Sequence, residues 1–158
     1  MRAAICLTIG LLAVALAPLP MLSAHAAGDA PQAVEQPRDA DYEAGKKAVA
    51  AGSWKIALEH FNRVALREPR NADVHNYLGY ASRKSGNLDL AFKHYGEALK
   101  LDPKHRGAHE YIGEAYLMAD NLPKAEEHLR ALDKLCFFSC EEYRDLKQAI
   151  ENYRGAKK

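Results

Sequence analysis

The chain has 158 residues and almost balanced charge, with 22 Lys and Arg against 21 Asp and Glu. Because binding to DNA or RNA depends on clustered basic side chains, this balance argues against a nucleic acid as the main partner. The length suffices for one domain after an N-terminal apolar segment, and hardly for two.

The N-terminal segment, residues 1–26, is typical of a secretory signal peptide. A single basic residue, Arg2, precedes the nearly continuous apolar stretch Ala3–Leu19, and small residues at 24 and 26 form an A-x-A pattern. We expect cleavage after Ala26 and a periplasmic or secreted product that has no membrane segment. An uncleaved membrane anchor is the alternative, since the stretch approaches the ~20 residues that span a bilayer.

The next segment, residues 27–37, contains two prolines and almost no large apolar side chain. Such a segment buries too little surface to order itself, so we expect a flexible lead. Beyond it, no stretch shows the period-two alternation of a half-buried strand. The sequence therefore predicts an all-α fold.

From residue 38 onward, the sequence repeats with a period of 34 residues. Its columns are Gly45, Gly79 and Gly113; Ala57, Ala91 and Ala125; Phe61, Tyr95 and Leu129; Trp54, Leu88 and Leu122; and Pro69 and Pro103. This period and content are typical of stacked helix-turn-helix hairpins. The small side chains allow the two helices of a hairpin to approach to ~8–10 Å.

The middle unit carries the motif Leu78-Gly79, Ala91, Tyr95, Ala98 and Pro103, which resembles the tetratricopeptide repeat family. The resemblance implies a helical-hairpin solenoid that coils as a right-handed superhelix. Its three units would be residues 38–71, 72–105 and 106–139. Turn pairs such as Gly52-Ser53 would end each first helix, and the prolines would end the second helices.

The third unit departs from the pattern, because Phe137 stands where a proline is expected. After it, Ser139-x-x-Glu142 reads as a capping box that would begin a new helix. The glycine column continues as Lys147, which is tolerable only where no second helix packs. We therefore predict a C-terminal capping helix at residues 140–154, followed by a tail at 155–158.

The first helices are expected to line a concave face, which in the family binds an extended peptide or a helix of a partner. The resemblance carries the groove positions onto Tyr42, Lys46, Val49, Asn76, Tyr80, Arg83, Glu110, Glu114 and Leu117, with Arg144 and Gln148 extending the row from the cap. The charges change sign along this row, which suits a ligand that is acidic at one end and basic at the other. The alternative interpretation is a set of solvated helix faces without a ligand.

A clamp for a C-terminal carboxylate, known in eukaryotic members of the family, is not expected here. Glu110 and Glu114 stand where added positive charge would be needed, and they would repel a carboxylate. We therefore do not expect the C-terminal tail of a chaperone as the ligand.

Two cysteines, Cys136 and Cys140, would be the only thiols left after export. Four helical residues separate Cα atoms by ~6 Å, which is within disulfide range, and an exported protein meets oxidising conditions. A disulfide that fastens the cap to the last repeat is favoured. Two buried thiols, or a redox-active pair, are the alternatives.

Histidines form a further column with the same period, His60, His94 and His128. Side chains of one column point the same way from helices ~10 Å apart, whereas a metal needs nitrogens that converge at ~2.0–2.1 Å. We therefore expect no metal site, and His75 and His109 are assigned to packing. The sequence contains no phosphate-binding loop, nucleophile elbow or cofactor motif, so we expect neither a cofactor nor catalysis.

Together these patterns predict a non-catalytic scaffold of the cell envelope that binds a protein or peptide in its groove. A self-associating structural module, and hence a homo-oligomer, is the first alternative. Thiol or metal chemistry at the cysteine pair is the second.

Overall fold

The computed structural model describes residues 39–157, which form seven α-helices without a β-strand among them. The helices are α1 Ala40–Ala50, α2 Trp54–Arg67, α3 Ala72–Lys84, α4 Leu88–Leu101, α5 Arg106–Met118, α6 Leu122–Leu135 and α7 Glu141–Ala156. The predicted signal peptide, its cleavage site and the flexible lead lie outside the described residues.

The helices pack as three hairpins in chain order, α1 with α2, α3 with α4 and α5 with α6. Each hairpin also contacts the next one, and α7 packs against both α5 and α6. This arrangement confirms the predicted all-α helical-hairpin solenoid.

Asparagine side chains begin most of the later helices. The Oδ1 atoms of Asn71, Asn87 and Asn121 each accept a hydrogen bond from the backbone N–H three residues on. These bonds satisfy N–H groups that have no partner within the first turn of a helix. In the hairpin turns before α2 and α4, Gly52 and Gly86 take left-handed φ angles of 67° and 81°, which glycine adopts without steric cost.

The glycine columns mark the closest approach of the two helices in a hairpin. A Cβ atom placed on Gly45 would lie 2.8 Å from the ring of Phe61, and one on Gly79 would lie 2.5 Å from the ring of Tyr95. Both rings are fully buried. In each of the first two units, the glycine and the aromatic residue therefore pack as a pair.

The third hairpin fills this position differently. A Cβ atom on Gly113 would meet Leu146 of α7, at 2.6 Å, instead of a side chain of its own hairpin. The residue in the Phe61 and Tyr95 column is here Leu129, which is smaller and only partly buried. The space that this shorter side chain leaves is filled by α7, and Leu146 and Ile150 are buried there.

The start of α7 differs from the sequence prediction. Cys140 is the N-cap residue, and its side chain makes no capping hydrogen bond. Ser139 lies one residue earlier with a φ of 31°, so the predicted capping box is wrong. The physical reason is that Ser139 belongs to the short loop before α7, one residue before the N-cap position, so its side chain does not cap the helix. The helix continues to Ala156, two residues beyond the predicted end at 154.

A disulfide closes the loop between the last repeat and the cap. It joins Cys136, the C-cap residue of α6, to Cys140, with 5.5 Å between the two Cα atoms. Because the sulfurs are bonded to each other, neither serves as a nucleophile or a metal ligand in this state. Phe137 and Phe138 within the loop are 92% and 85% exposed.

Within the described part of the chain, no helix combines the length and the apolar character needed to cross a membrane.

Candidate binding groove

The N-terminal halves of α1, α3, α5 and α7 border three adjoining depressions. The first has a volume of about 370 Å³ and lies between α1 and α3, where Tyr42, Lys46 and Asp73 line it. The second lies beside it and shares Asp73 with it. The third has a volume of about 250 Å³, lies between α3, α5 and α7, and shares Gly107 and Glu142 with the second. We call this continuous surface the first-helix groove.

Three of the predicted groove residues are buried polar side chains. Asn76, Arg83 and Glu110 are each 7% exposed. The Oδ1 atom of Asn76 and the Nε atom of Arg83 have no hydrogen-bond partner among the described residues. A buried polar atom without a partner costs free energy, and such atoms are rare enough to indicate a site where a ligand or water completes the bonding.

Arg83 forms the centre of an internal cluster of aromatic and acidic side chains. Its Nη1 atom lies 2.5 Å from Oε2 of Glu114. Its guanidinium group lies 5.4 Å from the ring centre of Tyr80 and 5.7 Å from that of Tyr111, within the range of cation–π attraction. Tyr80 also packs edge-on against Trp54. Arg83 and Tyr80 thus stabilise the stacking of the first two hairpins on the third.

Glu110 differs from Glu114 in having no compensating cation. Arg83 pairs with Glu114, and Arg106 pairs with Glu142 at 3.5 Å, which leaves Glu110 without an ion pair among residues 39–157. Burial raises the pKa of Glu110 to about 8, and the negative charges of Glu114, Asp145 and Glu142 add to this effect.

Three predicted groove residues belong mainly to the apolar core. Val49 and Leu117 are partly buried against the first and the last of the hydrophobic clusters. Tyr42 packs edge-on against Phe61 and Tyr77, both at 5.8 Å between ring centres, and burial raises the pKa of its hydroxyl. Lys46 lies over the ring of Tyr42 and is the exposed predicted residue of α1.

The cap contributes residues other than those the sequence register predicts. Glu141, Glu142 and Asp145 line the third depression. Arg144 donates instead to the carbonyl of Ser139 at 3.0 Å, and Gln148 donates to Asn152 at 3.0 Å. Asp145 continues the column of Tyr77 and Tyr111, which line the same depression, whereas Arg144, in the column of Asn76 and Glu110, does not line it. The acidic start of α7 was visible in the sequence, but its position relative to α5 was not.

The electrostatic character of the groove is therefore more acidic than the sequence suggested. The first depression holds Asp39, Glu43, Glu68 and Asp73 beside Lys46, and the third holds four carboxylates. The basic side chains are concentrated in the second depression, where Lys104, His105 and Arg106 lie beside Asp73, Asp102 and Glu142. Of the cations predicted for the row, Arg83 is paired with Glu114.

Histidine pairs on the hairpins were missed by the sequence analysis. His75 Nδ1 lies 3.3 Å from His94 Nδ1, and His109 Nδ1 lies 2.9 Å from His128 Nδ1. The Nε2–H groups of His75 and His109 donate to the carbonyls of Pro69 and Pro103. In the first unit, Asp41 takes the corresponding place beside His60.

These pairs have a defined protonation state. Because a carbonyl oxygen can only accept, His75 carries its proton on Nε2, and its Nδ1 accepts from the Nδ1–H of His94. Burial and the neighbouring ring lower the pKa of His94 and of His128 to about 4, so both rings are neutral at physiological pH. Among the residues described, no three His, Cys, Asp or Glu side chains come together in a way that could hold a metal ion.

Comparison with protein families and solved structures places the fold among known ones. Residues 72–105 match the model of the tetratricopeptide repeat. The TPR2B domain of yeast Sti1, solved as a pHsp70 complex, superposes with a TM-score of 0.67 at 18% identity, over 73% of this chain and 94% of that one. No match was found among curated proteins.

Two further solved structures show the same architecture. The Yersinia enterocolitica type III secretion chaperone SycD, in complex with a peptide of the translocator YopD, has a TM-score of 0.63 at 19% identity, over 75% of this chain and 92% of that one. The first TPR domain of Spaghetti (RPAP3), bound to the HSP90 peptide SRMEEVD, has a TM-score of 0.63 at 17% identity, over 72% and 90%.

Proposed function

We propose that this chain, whose residues 72–105 match the tetratricopeptide repeat model, is a non-catalytic scaffold that holds a segment of a partner protein in the first-helix groove. One observation carries the proposal: the three depressions join into a single surface to which every first helix and the cap contribute. The unpartnered Oδ1 atom of Asn76, which lines the third depression, supports it. The domains of Sti1, SycD and RPAP3 with this fold were solved with a partner or a peptide bound.

The setting that we propose is the cell envelope, after export and removal of residues 1–26. An apolar N-terminal stretch followed by an A-x-A pattern supports export. The bonded pair of Cys136 and Cys140 supports an oxidising compartment, since disulfides are rare in the cytosol. Mass spectrometry of the protein from the periplasmic fraction should find an N-terminus at Ala27, and retention of residues 1–26 would contradict the proposal.

Photo-crosslinking tests the groove directly. A photoreactive phenylalanine is placed at Lys46, Asp73 or Asp145, which line the first and third depressions and carry polar side chains outside the core. The matched controls are exposed positions on the second helices, Glu59 and Lys93. We expect discrete adducts with envelope proteins from the groove positions and not from the controls. Equal labelling from both faces, or none, would show that the groove assignment is wrong.

Self-association is the second candidate function, because apolar side chains are exposed near both ends of the array. Ile56 and Leu66 on α2 are 50% and 84% exposed, and Phe137 and Phe138 lie on the disulfide loop. Large exposed apolar side chains of this kind often mark contacts between proteins. The candidate is tested by the mass of the protein in solution, as described below.

A further inference from the structure

The depression between α3, α5 and α7 has the chemical composition of a pocket for a cation. Four carboxylates line it, those of Glu110, Glu141, Glu142 and Asp145, together with the side chains of Tyr77 and Tyr111. None of the described residues that line it is basic. We call it the acidic pocket.

Two buried polar groups of the acidic pocket lack the partners that burial normally demands. Asn76 on α3 and Glu110 on α5 both line it, and both are 93% buried. The Oδ1 atom of Asn76 accepts no hydrogen bond from the described residues. The carboxylate of Glu110 has no ion pair, because the nearby guanidinium groups pair with Glu114 and Glu142. Both groups accept hydrogen bonds, so the missing component is a donor with positive charge.

The protein itself contains an example of the group that fits such surroundings. The guanidinium group of Arg83 lies against the rings of Tyr80 and Tyr111 and pairs with Glu114. The acidic pocket offers a similar set of partners one turn earlier on the same face of α5, with Tyr77 and Tyr111 lining it beside Glu110. Arg106 pairs with Glu142 at the edge of this pocket, but no arginine among residues 39–157 forms an ion pair with Glu110.

We propose that the acidic pocket receives an arginine side chain of the partner segment held in the first-helix groove, an inference that rests on the proposed function. A planar guanidinium carries five N–H donors, which can reach carboxylates and an amide oxygen at once and can stack on tyrosine. A bare metal ion suits the pocket less well. No three carboxylates of the described region come close enough together to hold one.

The protonation of Glu110 gives the pocket a dependence on pH. In the free protein the pKa of Glu110 is raised to about 8 by burial and by Glu114, Asp145 and Glu142, and only Arg83 opposes this. An incoming guanidinium favours the ionised carboxylate, so binding releases a proton. Affinity for arginine is therefore expected to increase between pH 6 and pH 8.5.

Titration with defined peptides tests the proposal. The protein is purified in the form that the expressing cell produces and is labelled with ¹⁵N for NMR. The probes are capped alanine pentapeptides whose central residue is arginine, lysine or citrulline, which has the shape of arginine without its charge. We expect the arginine peptide to bind at least tenfold more tightly than the citrulline peptide, and several-fold more tightly than the lysine peptide, with shift changes at residues 76, 110 and 145. Equal affinity for arginine and citrulline, or for arginine and lysine, would overturn the assignment.

Charge-matched variants show whether the pocket is responsible. Glu110→Gln should reduce arginine affinity at least tenfold, and Asp145→Asn, which changes an exposed side chain and should leave folding intact, should reduce it several-fold. Glu151→Gln removes one negative charge from α7 outside the acidic pocket and should change affinity less than twofold. Unchanged affinity in both pocket variants would refute the proposal.

The two proposals can fail separately. Groove-specific crosslinks together with equal binding of arginine and citrulline would retain the scaffold function and remove the arginine pocket. Selective binding of the arginine peptide without any groove-specific crosslink would retain the pocket and remove the scaffold function.

Discussion

Asn76 and Glu110 both line the acidic pocket as buried side chains; Oδ1 of Asn76 has no hydrogen-bond partner and Glu110 has no ion pair among the described residues. Burial of polar groups without partners destabilises a fold, and such groups are retained where function requires them. At the scale of single residues, the free protein is therefore expected to be less stable than its packing alone would allow.

Replacement of Glu110 by Gln should stabilise the folded protein at high pH. The pKa of Glu110 is about 8 in the folded state, above its usual value near 4.5. The folded state therefore binds the proton more tightly than the unfolded state does. As a result, the free energy of unfolding falls as the pH rises from 4.5 to 8. We expect Glu110→Gln to increase the free energy of unfolding by roughly 2–4 kcal/mol at pH 8 and by little at pH 4.5. Urea unfolding at the two pH values measures the difference, and a gain independent of pH would contradict the titration of Glu110.

The histidine pairs should produce a loss of stability on the acid side. His94 and His128 have pKa values of about 4 in the folded state, below the usual value near 6.5. The stability they contribute is complete above pH 6.5 and is lost as pH falls towards 4, because protonation favours the unfolded state.

The first unit suggests the variant that tests this titration, since Asp41 stands beside His60 where the other units have a second histidine. His109→Asp should favour the protonated form of His128 and reduce the loss of stability between pH 6.5 and 4.5 by about 1–2 kcal/mol. Thermal unfolding of both proteins across this range measures the change. The same loss in the variant and in the original protein would show that His128 is not responsible.

In the first two hairpins, the packing of the helices depends on the pairing of a glycine with a buried aromatic ring. The Gly79 and Tyr95 pair holds α3 and α4 at a distance that leaves no room for a methyl group. At the scale of elements, this pairing explains why a glycine stands opposite an aromatic residue in both of the first two units.

Two glycine-to-alanine substitutions should have opposite effects. Gly79→Ala places a methyl group 2.5 Å from the buried ring of Tyr95 and should destabilise the protein by about 1–3 kcal/mol. Gly96→Ala, on the exposed side of α4 with no atom within 4 Å of the added Cβ, should stabilise it by about 0.5–1 kcal/mol. Chemical denaturation of the two variants compares them, and destabilisation of similar size in both would show that helix contact is not the cause.

The disulfide should contribute little to stability, because it closes a very short loop. Replacement of Cys136 and Cys140 together by Ser should lower the free energy of unfolding by at most about 2 kcal/mol. The arginine peptide should bind this double serine variant with unchanged affinity, since neither Cys136 nor Cys140 lines the acidic pocket. A larger loss of stability would indicate that the loop also positions α7.

The hairpins could be predicted from the sequence, whereas the position of the cap could not. Small residues at a fixed period identify helices that approach closely, and Gly45, Gly79 and Gly113 gave this signal. The place of α7 depends on the volume that Leu129 leaves unfilled and on how Leu146 enters it, which is a property of packing. For this reason the sequence placed Arg144 and Gln148 in the groove, where the structure has Glu142 and Asp145.

The burial of the polar groove residues could not be predicted from the sequence either. Asn76, Arg83 and Glu110 lie on helix faces that a pattern of polar residues marks as exposed, yet neighbouring hairpins cover them. Their burial arises only when three hairpins stack. The aromatic and acidic residues that surround them come from different units, so no single repeat contains the signal.

At the scale of the whole molecule, the described residues form one continuous stack in which each hairpin contacts its neighbours. The stability of such an array comes mainly from contacts within and between adjacent units. Exposed apolar residues on α2 and on the disulfide loop leave the oligomeric state as the main property to be measured.

We expect a monomer in solution. The exposed apolar residues are scattered over separate elements, and a stable dimer generally requires ~800 Å² from each partner in one surface. Light scattering between 5 and 500 μM should give a constant molar mass. A mass that doubles with concentration, and that returns to the monomer value in a variant with Phe137→Ser and Phe138→Ser, would favour the self-association alternative.

The terminal helix α7 packs on α5 and α6 and places Leu146 beside Gly113, so it covers the side of the third hairpin on which a fourth would stack. Copies of the repeat added after residue 139 would compete with α7 for that position, whereas copies of residues 72–105 inserted between the second and third hairpins would meet compatible surfaces on both sides. An engineer who wishes to lengthen this solenoid should therefore insert new repeats in its interior and leave the terminal helix in place.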